Sequence, residues 1–355
     1  MQEKLAKIFK FGENGTNLRT EVMAGLTTFM GVAYILAVNP NMLAAAGMDK
    51  GAVFTATALA SAIGTLVMAL LTNYPFVLAP GMGLNAYFAY SVVIKMGYSW
   101  EMALAAVFIE GIIFIVLSLT NIREAIFNAI PETLRLAISS GIGLFIAMVG
   151  LQGAKIVVND DSTLVTMFKW STAGNATLGL TVALALLGTV LTGFLLIRGV
   201  KGGVLIGILA TWFVGIICEV AGFYVPVPKL GLYSLIPDFS HGIHVASLAP
   251  TFMKFDFSKG LSFDFATVVF AFLFVDIFDT LGTLTGCAVK AGYIDEDGNL
   301  PRIKGALMAD AIATTVGACL GTSTTTTFVE SSLGISEGGR TGLAGIRRPD
   351  RKSVV

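Results

Sequence analysis

The sequence predicts an all-α polytopic membrane protein that contains an inverted repeat and two helices interrupted by short strands. The 355-residue chain is 55% hydrophobic and 13% charged, with a mean hydropathy of +0.80, whereas soluble domains carry about 25% charged residues. Apolar segments of bilayer length recur along the chain. Two of them contain a strand-like run followed directly by a helix start, one near residue 80 and one near residue 330.

Ten apolar segments are close to the length of about 17–25 residues that spans a bilayer as a helix. They cover residues 22–38, 51–72, 76–94, 102–119, 136–154, 173–197, 202–218, 265–289, 305–321 and 322–343. With the N-terminus in the cytoplasm, the cytoplasmic loops carry more Lys and Arg than the outer loops, so the positive-inside rule predicts that orientation. The net charge is zero, which argues against nucleic acid as a partner.

The third and tenth segments are predicted to be broken. Residues 76–78 form a short extended run, and Pro80 suits the first turn of the helix that follows. Residues 324–329 are four threonines, Phe and Val, which favour extended backbone, and a half-helix begins at Glu330. Irregular backbone at membrane depth is tolerated only where protein buries it or it lines a cavity. We therefore expect a ligand site at these breaks.

A weak internal repeat relates the two breaks. Thr28 precedes Asn85 by 57 residues (85 − 28), and Asp276 precedes Glu330 by 54 residues (330 − 276). Seven segments separate each corresponding pair, and an odd number of segments per repeat inverts the topology of the second copy. The sequence therefore predicts an inverted repeat.

The eighth segment carries a polar stripe. Asp276, Asp279, Thr280 and Thr283 are offset by three, four and seven residues, which places them on one helical face. Carboxylates inside a bilayer are costly and usually functional. A cluster of hydrogen bonds that joins helices is the alternative for both aspartates, more so for Asp279.

Two further polar residues lie in the broken helices. Glu330 begins a half-helix, whose free N–H groups stabilise an anion, and an ionised carboxylate accepts hydrogen bonds from a ligand. Asn85 lies in the matching half-helix and can both donate and accept. The alternatives are a helix cap for Glu330 and a helix–helix hydrogen bond for Asn85. Asp310 and Glu110 are equally compatible with contacts between helices and with a site.

Four aromatic residues are candidates for stacking on a flat ligand, although membrane aromatics mostly pack: Phe29, Tyr34, Phe88 and Phe328. His241 and His244 are three residues apart in a loop, but no third ligand accompanies them. No metal site and no other cofactor is therefore predicted.

Several motifs resemble one transporter branch. The runs APGMGLNAYF (79–88), VDIFDTLGT (275–283), TTFVESSLG (326–334) and EGGRTGL (337–343) are similar to those of the AzgA-like branch of the nucleobase:cation symporters. These are guanine/hypoxanthine/adenine permeases, relatives of the xanthine/uracil permeases. The resemblance extends over residues 1 to about 344.

The resemblance implies a transporter fold of fourteen segments in two inverted repeats of seven, divided into a core and a gate domain. On this sequence we expect a cytoplasmic N-terminus (1–20), a core part (21–120), a gate part (121–222), an extracellular loop (223–264), a second core part (265–344) and a non-native tail (345–355). Only about ten of the fourteen segments are expected, because the tail abandons the hydrophobic pattern. We expect such a chain to form the core without completing alternating access.

The resemblance also implies a function, namely purine nucleobase uptake across the plasma membrane (the inner membrane in bacteria) by proton symport through alternating access. The expected substrate-binding residues are Asp276, Glu330, Asn85, Gly83, Phe328 and Thr280. Asp279 and Asp310 are expected to form the polar network that couples to the proton. The expected partners are a purine base, a proton and the lipid bilayer, and the resemblance leaves a homodimer open.

Other classes fit less well. An anion carrier of related fold would not place carboxylates at both Asp276 and Glu330. An intramembrane enzyme needs a nucleophile–base pair or a metal constellation, and none is legible in the sequence. A channel does not need two broken helices that close around one ligand. A chain that does not transport at all is the remaining alternative.

Overall fold

The computed structural model describes residues 9–12, 15–120, 122, 131–160, 162–169, 176–200, 203–227, 232, 234–236, 245–258, 262–295 and 300–344. The predicted tail (345–355) and the pair His241 and His244 lie outside these residues.

The first part of the chain is a series of helices interrupted by one short strand. The elements are Leu18–Val32 (α1), Ile35–Ala45 (α2), Lys50–Thr72 (α3), Leu78–Pro80 (β1), Met82–Ala86 (α4), a π-helix that continues α4 over Tyr87–Lys95, and Trp100–Leu119 (α5). Polar residues between the apolar runs determine where these helices begin. Asn17, Asp49 and Ser99 are the N-caps of α1, α3 and α5, and each side chain accepts a backbone N–H of the first turn.

The remaining elements are Glu132–Gly153 (α6), Val157–Asp160 (β2), Leu164–Met167 (β3), Ala176–Ile197 (α7), Gly203–Val220 (α8), Phe263–Ala291 (α9), Ile303–Leu320 (α10), Thr325–Thr327 (β4) and Ser331–Ser336 (α11). The helices α9 and α10 end at Gly292 and Gly321, which adopt the left-handed conformation that favours glycine. The antiparallel hairpin β2–β3 was not predicted from the sequence.

The chain divides into two compact units. The first consists of residues 1–142 and 245–355, and the second of residues 143–244. In the first unit, α10 packs against both α3 and α5, and α1 packs against α11. In the second unit, α7 packs against α8. The core and gate boundaries inferred from the family resemblance remain a prediction.

The strands β1 and β4 pair with each other although they come from opposite ends of the chain. They are antiparallel, with Leu78 opposite Thr327, Ala79 opposite Thr326 and Pro80 opposite Thr325. All six residues are buried. This short sheet satisfies backbone groups at the two helix breaks, which neither lipid nor an isolated strand could do.

Six helical stretches among the described residues are long and apolar enough to cross a bilayer: 18–45, 50–72, 100–119, 177–197, 263–291 and 303–320. Large apolar side chains remain exposed on them, among them Leu70 (64%), Val190 (71%) and Phe270 (66%). In water such surface would be unfavourable, whereas lipid tails cover it at little cost. The chain is therefore a multi-pass membrane protein, and the predicted fold class is confirmed.

Two details differ from the sequence prediction. Pro80 lies in β1, and the following helix begins at Met82 after Gly81, so the break extends slightly further than expected. In addition, the first predicted span consists of two helices, α1 and α2, with Ala33 and Tyr34 at their junction.

Candidate functional site

The threonine-rich run that leads into β4 is held by side chains from separate helices. Thr322 Oγ1 accepts a hydrogen bond from Asn39 Nδ2 in α2 at 2.8 Å. Thr324 Oγ1 donates to Glu110 Oε2 in α5 at 2.8 Å. All four residues are buried. Glu110 thus helps to hold the threonine run that leads into β4, a partner that neither of its sequence interpretations named.

Asn85 connects the two broken helices. Ser323 Oγ donates to Asn85 Oδ1, and Asn85 Nδ2 donates to the Pro80 carbonyl at 3.3 Å. The Asn85 side chain is fully buried. Gly83, two residues earlier in α4, is half-buried and has no side chain that would cover the helix start. The Gly81 amide at this helix start donates to the Thr324 carbonyl at 3.0 Å, which adds a second link between the two breaks.

Thr280 is the centre of the polar stripe on α9. Its Oγ1 lies 2.8 Å from Asp310 Oδ2, 3.2 Å from Asp276 Oδ1 and 3.1 Å from Thr326 Oγ1. The Thr327 amide donates to Asp310 Oδ1 at 3.2 Å. The structure therefore brings Asp276, Thr280 and Asp310 together against β4, and all of them are fully buried.

Asp279 lies beside the start of α4. A Cβ atom built on Gly81 would be 3.2 Å from Asp279 Oδ2 and 3.0 Å from Thr326 Cγ2. The Asp279 carboxylate also interacts electrostatically with Asp310 and Glu330. Asp279 therefore lies within electrostatic range of an acidic group on α10 and of another at the start of α11.

Glu330 directly precedes α11 and has a partner that the sequence did not indicate. Its side chain makes no capping hydrogen bond to the helix, so the cap interpretation does not hold. Glu330 Oε1 instead accepts a hydrogen bond from the Tyr34 hydroxyl at 2.6 Å. Phe328 is buried nearby and packs with Val32, Ile35 and Ala79.

The other aromatic candidates lie in different environments. Phe88 is fully buried and its ring centroid is 6.4 Å from that of Phe272. Phe29 is 59% exposed on the outer surface of α1. Of the four candidates, Tyr34 and Phe328 lie in the same apolar cluster next to Glu330.

Two site contacts were missed at the sequence level. Asn39 is a fully buried amide in an apolar segment. Its polar side chain directly before Pro40 was the feature of the sequence that could have marked it as a contact residue. Tyr34 was considered only for stacking, because a tyrosine in a membrane segment gives no indication of which carboxylate it contacts. Among the described residues, no group of three or more His, Cys, Asp or Glu side chains could hold a metal ion.

Buried polar residues lie at two broken helices, and a short strand precedes the half-helix in each. This arrangement defines a class of protein. Membrane transporters with inverted repeats bind their substrates between discontinuous helices of this kind. The geometry places this chain in that class.

The comparison with known sequences identifies the family. Residues 19–343 match the Permease family that contains the xanthine/uracil permeases, and the chain belongs to it, in its AzgA-like nucleobase permease branch. It is 48% identical over 349 residues to the guanine/hypoxanthine permease PbuG of Bacillus subtilis (strain 168), covering 95% of this chain and 74% of that protein. It is 41% identical over 345 residues to the adenine permease AdeP of Escherichia coli (strain K12), covering 97% and 73%.

Solved structures of the same fold are more distant in sequence. The transmembrane domain of a cyanobacterial bicarbonate transporter, BicA, superposes with a TM-score of 0.59 at 17% identity, covering 93% of this chain and 79% of that one. SLC26A9 superposes with a TM-score of 0.53 at 13% identity, covering 97% and 54%. At these identities the likeness concerns the fold alone. The family consists of permeases, in agreement with the prediction that this protein is not an enzyme.

Proposed function

We propose that this protein is a purine nucleobase permease that takes up guanine, hypoxanthine or adenine. The observation that supports the proposal is the antiparallel pairing of β1 with β4, which joins the two helix breaks that precede Asn85 and Glu330. Relatives that share 48% and 41% of its residues are named for guanine/hypoxanthine and for adenine.

The chemistry of the site suits a neutral planar base. Ring and exocyclic N–H groups of a purine are donors, and the carboxylates of Glu330 and Asp276 are acceptors. We assign the carbonyl or ring-nitrogen acceptors of the base to the helix start at Gly83 and to the side chain of Asn85. Phe328 provides apolar surface beside Glu330. An anionic substrate would be repelled by these carboxylates.

Proton symport is the proposed coupling. Thr280 has one hydroxyl proton but lies within hydrogen-bond distance of both Asp276 and Asp310, so it can donate to only one carboxylate at a time. If the other carboxyl group carries a proton, it can donate its own hydrogen bond to the Thr280 hydroxyl oxygen. Adjacent carboxylates also resist simultaneous ionisation. Asp279 adds a third acidic group that interacts with Asp310.

Several finer features belong to the same proposal. Alternating access would move the site between the two sides of the plasma membrane, with the N-terminus in the cytoplasm as the positive-inside rule indicates. Oligomerisation as a homodimer is compatible with this mechanism and is not required by it.

Ligand competition and uptake test the proposed function. Purified protein is incubated with radiolabelled hypoxanthine and with unlabelled guanine, adenine, uracil or bicarbonate, and uptake of the same label is followed in a transport-deficient bacterial strain. We expect the purines to compete and uracil and bicarbonate not to compete. We also expect hypoxanthine to accumulate, a result that would overturn the expectation from the sequence that the chain does not complete alternating access. Competition by bicarbonate without purine binding would favour the anion carrier. Purine binding without accumulation would favour a chain that binds but does not transport.

A further inference from the structure

The contact between Tyr34 and Glu330 has no role in the function described so far. The Tyr34 hydroxyl donates to Glu330 Oε1 at 2.6 Å, across 296 positions of sequence. This is the short distance expected for a hydrogen bond to an ionised acceptor. Tyrosine and phenylalanine pack alike, so packing alone does not require the hydroxyl.

We propose that Tyr34 is a positioning residue for substrate binding: its hydroxyl holds Glu330 Oε1 and leaves Oε2 directed to a single N–H donor of the base. This inference rests on the proposed function of the site. It assigns Tyr34 a hydrogen-bonding role in place of the stacking role that the sequence suggested.

Both ends of the contact are held by their surroundings. The Tyr34 ring packs against a cluster that includes Val32, Ile35 and Phe328, and it lies at the junction of α1 and α2. The hydroxyl is therefore presented from a fixed position.

The backbone next to Glu330 is fixed as well. The Phe328 amide donates to the Val77 carbonyl at 2.9 Å, and the Val77 amide donates to Ser331 Oγ at 3.0 Å. The main chain near Glu330 and the Tyr34 hydroxyl are thus both fixed. Glu330 can then move only by rotation of its own side chain. The hydrogen bond from Tyr34 removes that freedom before a ligand arrives, which lowers the entropic cost of binding.

The same contact affects selectivity. A free carboxylate can accept two parallel N–H groups, whereas one with an occupied oxygen is directed toward a single donor. Guanine has two adjacent N–H donors, at its N1 and its exocyclic amine, and hypoxanthine has only N1–H at that edge. The Tyr34 hydroxyl should therefore favour hypoxanthine relative to guanine.

The test compares Tyr34→Phe with a matched control, Tyr87→Phe. Tyr87 is in the adjacent π-helix and packs its ring against Phe272 at a centroid distance of 5.0 Å. Binding of radiolabelled hypoxanthine and guanine to the purified full chain gives Kd and the number of sites per molecule. Thermal melting in detergent without ligand reports stability separately.

For Tyr34→Phe we expect a Kd for hypoxanthine about tenfold higher, a smaller rise for guanine and an unchanged site number, since Glu330 is no longer oriented before the ligand arrives. Loss of the hydrogen bond should also lower the melting temperature. Tyr87→Phe should match the wild type. Unchanged Kd values in Tyr34→Phe, or fewer sites and lower melting temperature with a normal Kd, would overturn the inference. A wild-type chain that binds no purine would instead refute the proposed function.

Discussion

Glu21 and Thr341, which are separated by almost the whole chain, are joined by two hydrogen bonds. Glu21 Oε2 accepts from the Thr341 amide at 3.0 Å and from its hydroxyl at 2.8 Å. The other oxygen accepts from Thr16 Oγ1 at 2.6 Å and from the Arg340 amide at 3.2 Å. Glu21 is fully buried. This cluster ties the start of α1 to the segment that follows α11.

Replacing Glu21 with Ala should strongly destabilise the protein. Each buried donor that loses its acceptor costs about 1–3 kcal/mol. Four donors contact this carboxylate, and the two from Thr341 are buried. We expect a lower melting temperature in detergent and less monodisperse protein. Glu21→Gln, which keeps one acceptor oxygen, should be milder.

The control for that substitution is Glu101→Ala in the first turn of α5, which is only half-buried. It should melt close to the wild type. Equal melting temperatures for Glu21→Ala and Glu101→Ala would show that the cluster contributes nothing to stability.

A second prediction concerns the close packing of α3 against α10. A Cβ on Gly64 would be 2.8 Å from Ala313 Cβ and 3.2 Å from Leu78 Cβ, so Gly64→Ala should separate the helices and destabilise by about 1–3 kcal/mol. Gly141 in α6 has no atom within 4 Å of its Cβ position. Gly141→Ala should be neutral or stabilise by up to about 1 kcal/mol, because alanine favours helix. The melting temperature should fall for Gly64→Ala and should not fall for Gly141→Ala; a fall in both variants or in neither would contradict this packing.

Thr280 provides a third prediction. Thr280→Val keeps the shape but removes the hydroxyl that contacts Asp276, Asp310 and Thr326. A buried hydrogen bond to a charged group contributes about 1.5–3 kcal/mol. Because these bonds hold Asp276, a proposed substrate-binding residue, in position, hypoxanthine affinity should fall at least tenfold. Thr267→Val is the control, because the Thr267 hydroxyl donates to the Phe263 carbonyl of its own helix and the residue is exposed. Binding isotherms that do not distinguish the two variants would exclude Thr280 from the site.

The proton-coupling proposal is tested at Asp276. Asp276→Asn removes a titratable group that the Thr280 hydroxyl contacts at 3.2 Å. In proteoliposomes, purine accumulation by the wild type should increase when a proton gradient is imposed, and the variant should show no such increase or no accumulation. An unaltered response to the gradient would assign Asp276 a structural role.

The apolar segments, the two helix breaks and the polar stripe could be predicted from the sequence, because each follows from local periodicity and composition. Strand formation at residues 325–327 follows from their β-branched side chains. The stripe of Asp276 and Thr280 follows from helical spacing. Neither signal depends on long-range contacts.

The contacts between distant segments could not be read from the sequence. Three hydrogen bonds join residues that are hundreds of positions apart: Tyr34–Glu330, Asn39–Thr322 and Glu21–Thr341. The sequence contains several donors and acceptors of the same chemical type. The packing of the helices decides which donor meets which acceptor. The side chain of Glu330 illustrates this, since its position at a helix start suggested a cap, whereas Tyr34 is its partner.

The most direct test of the central claim is the binding of radiolabelled hypoxanthine to purified Glu330→Gln. The substitution keeps size but replaces an acceptor oxygen with an N–H donor, which would face the N–H groups of the base. Glu101→Gln is the control. We predict saturable binding by the wild type and the control, and none by Glu330→Gln at equal yield of monodisperse protein. Near-normal affinity in Glu330→Gln would contradict the assignment of the purine site to these two broken helices.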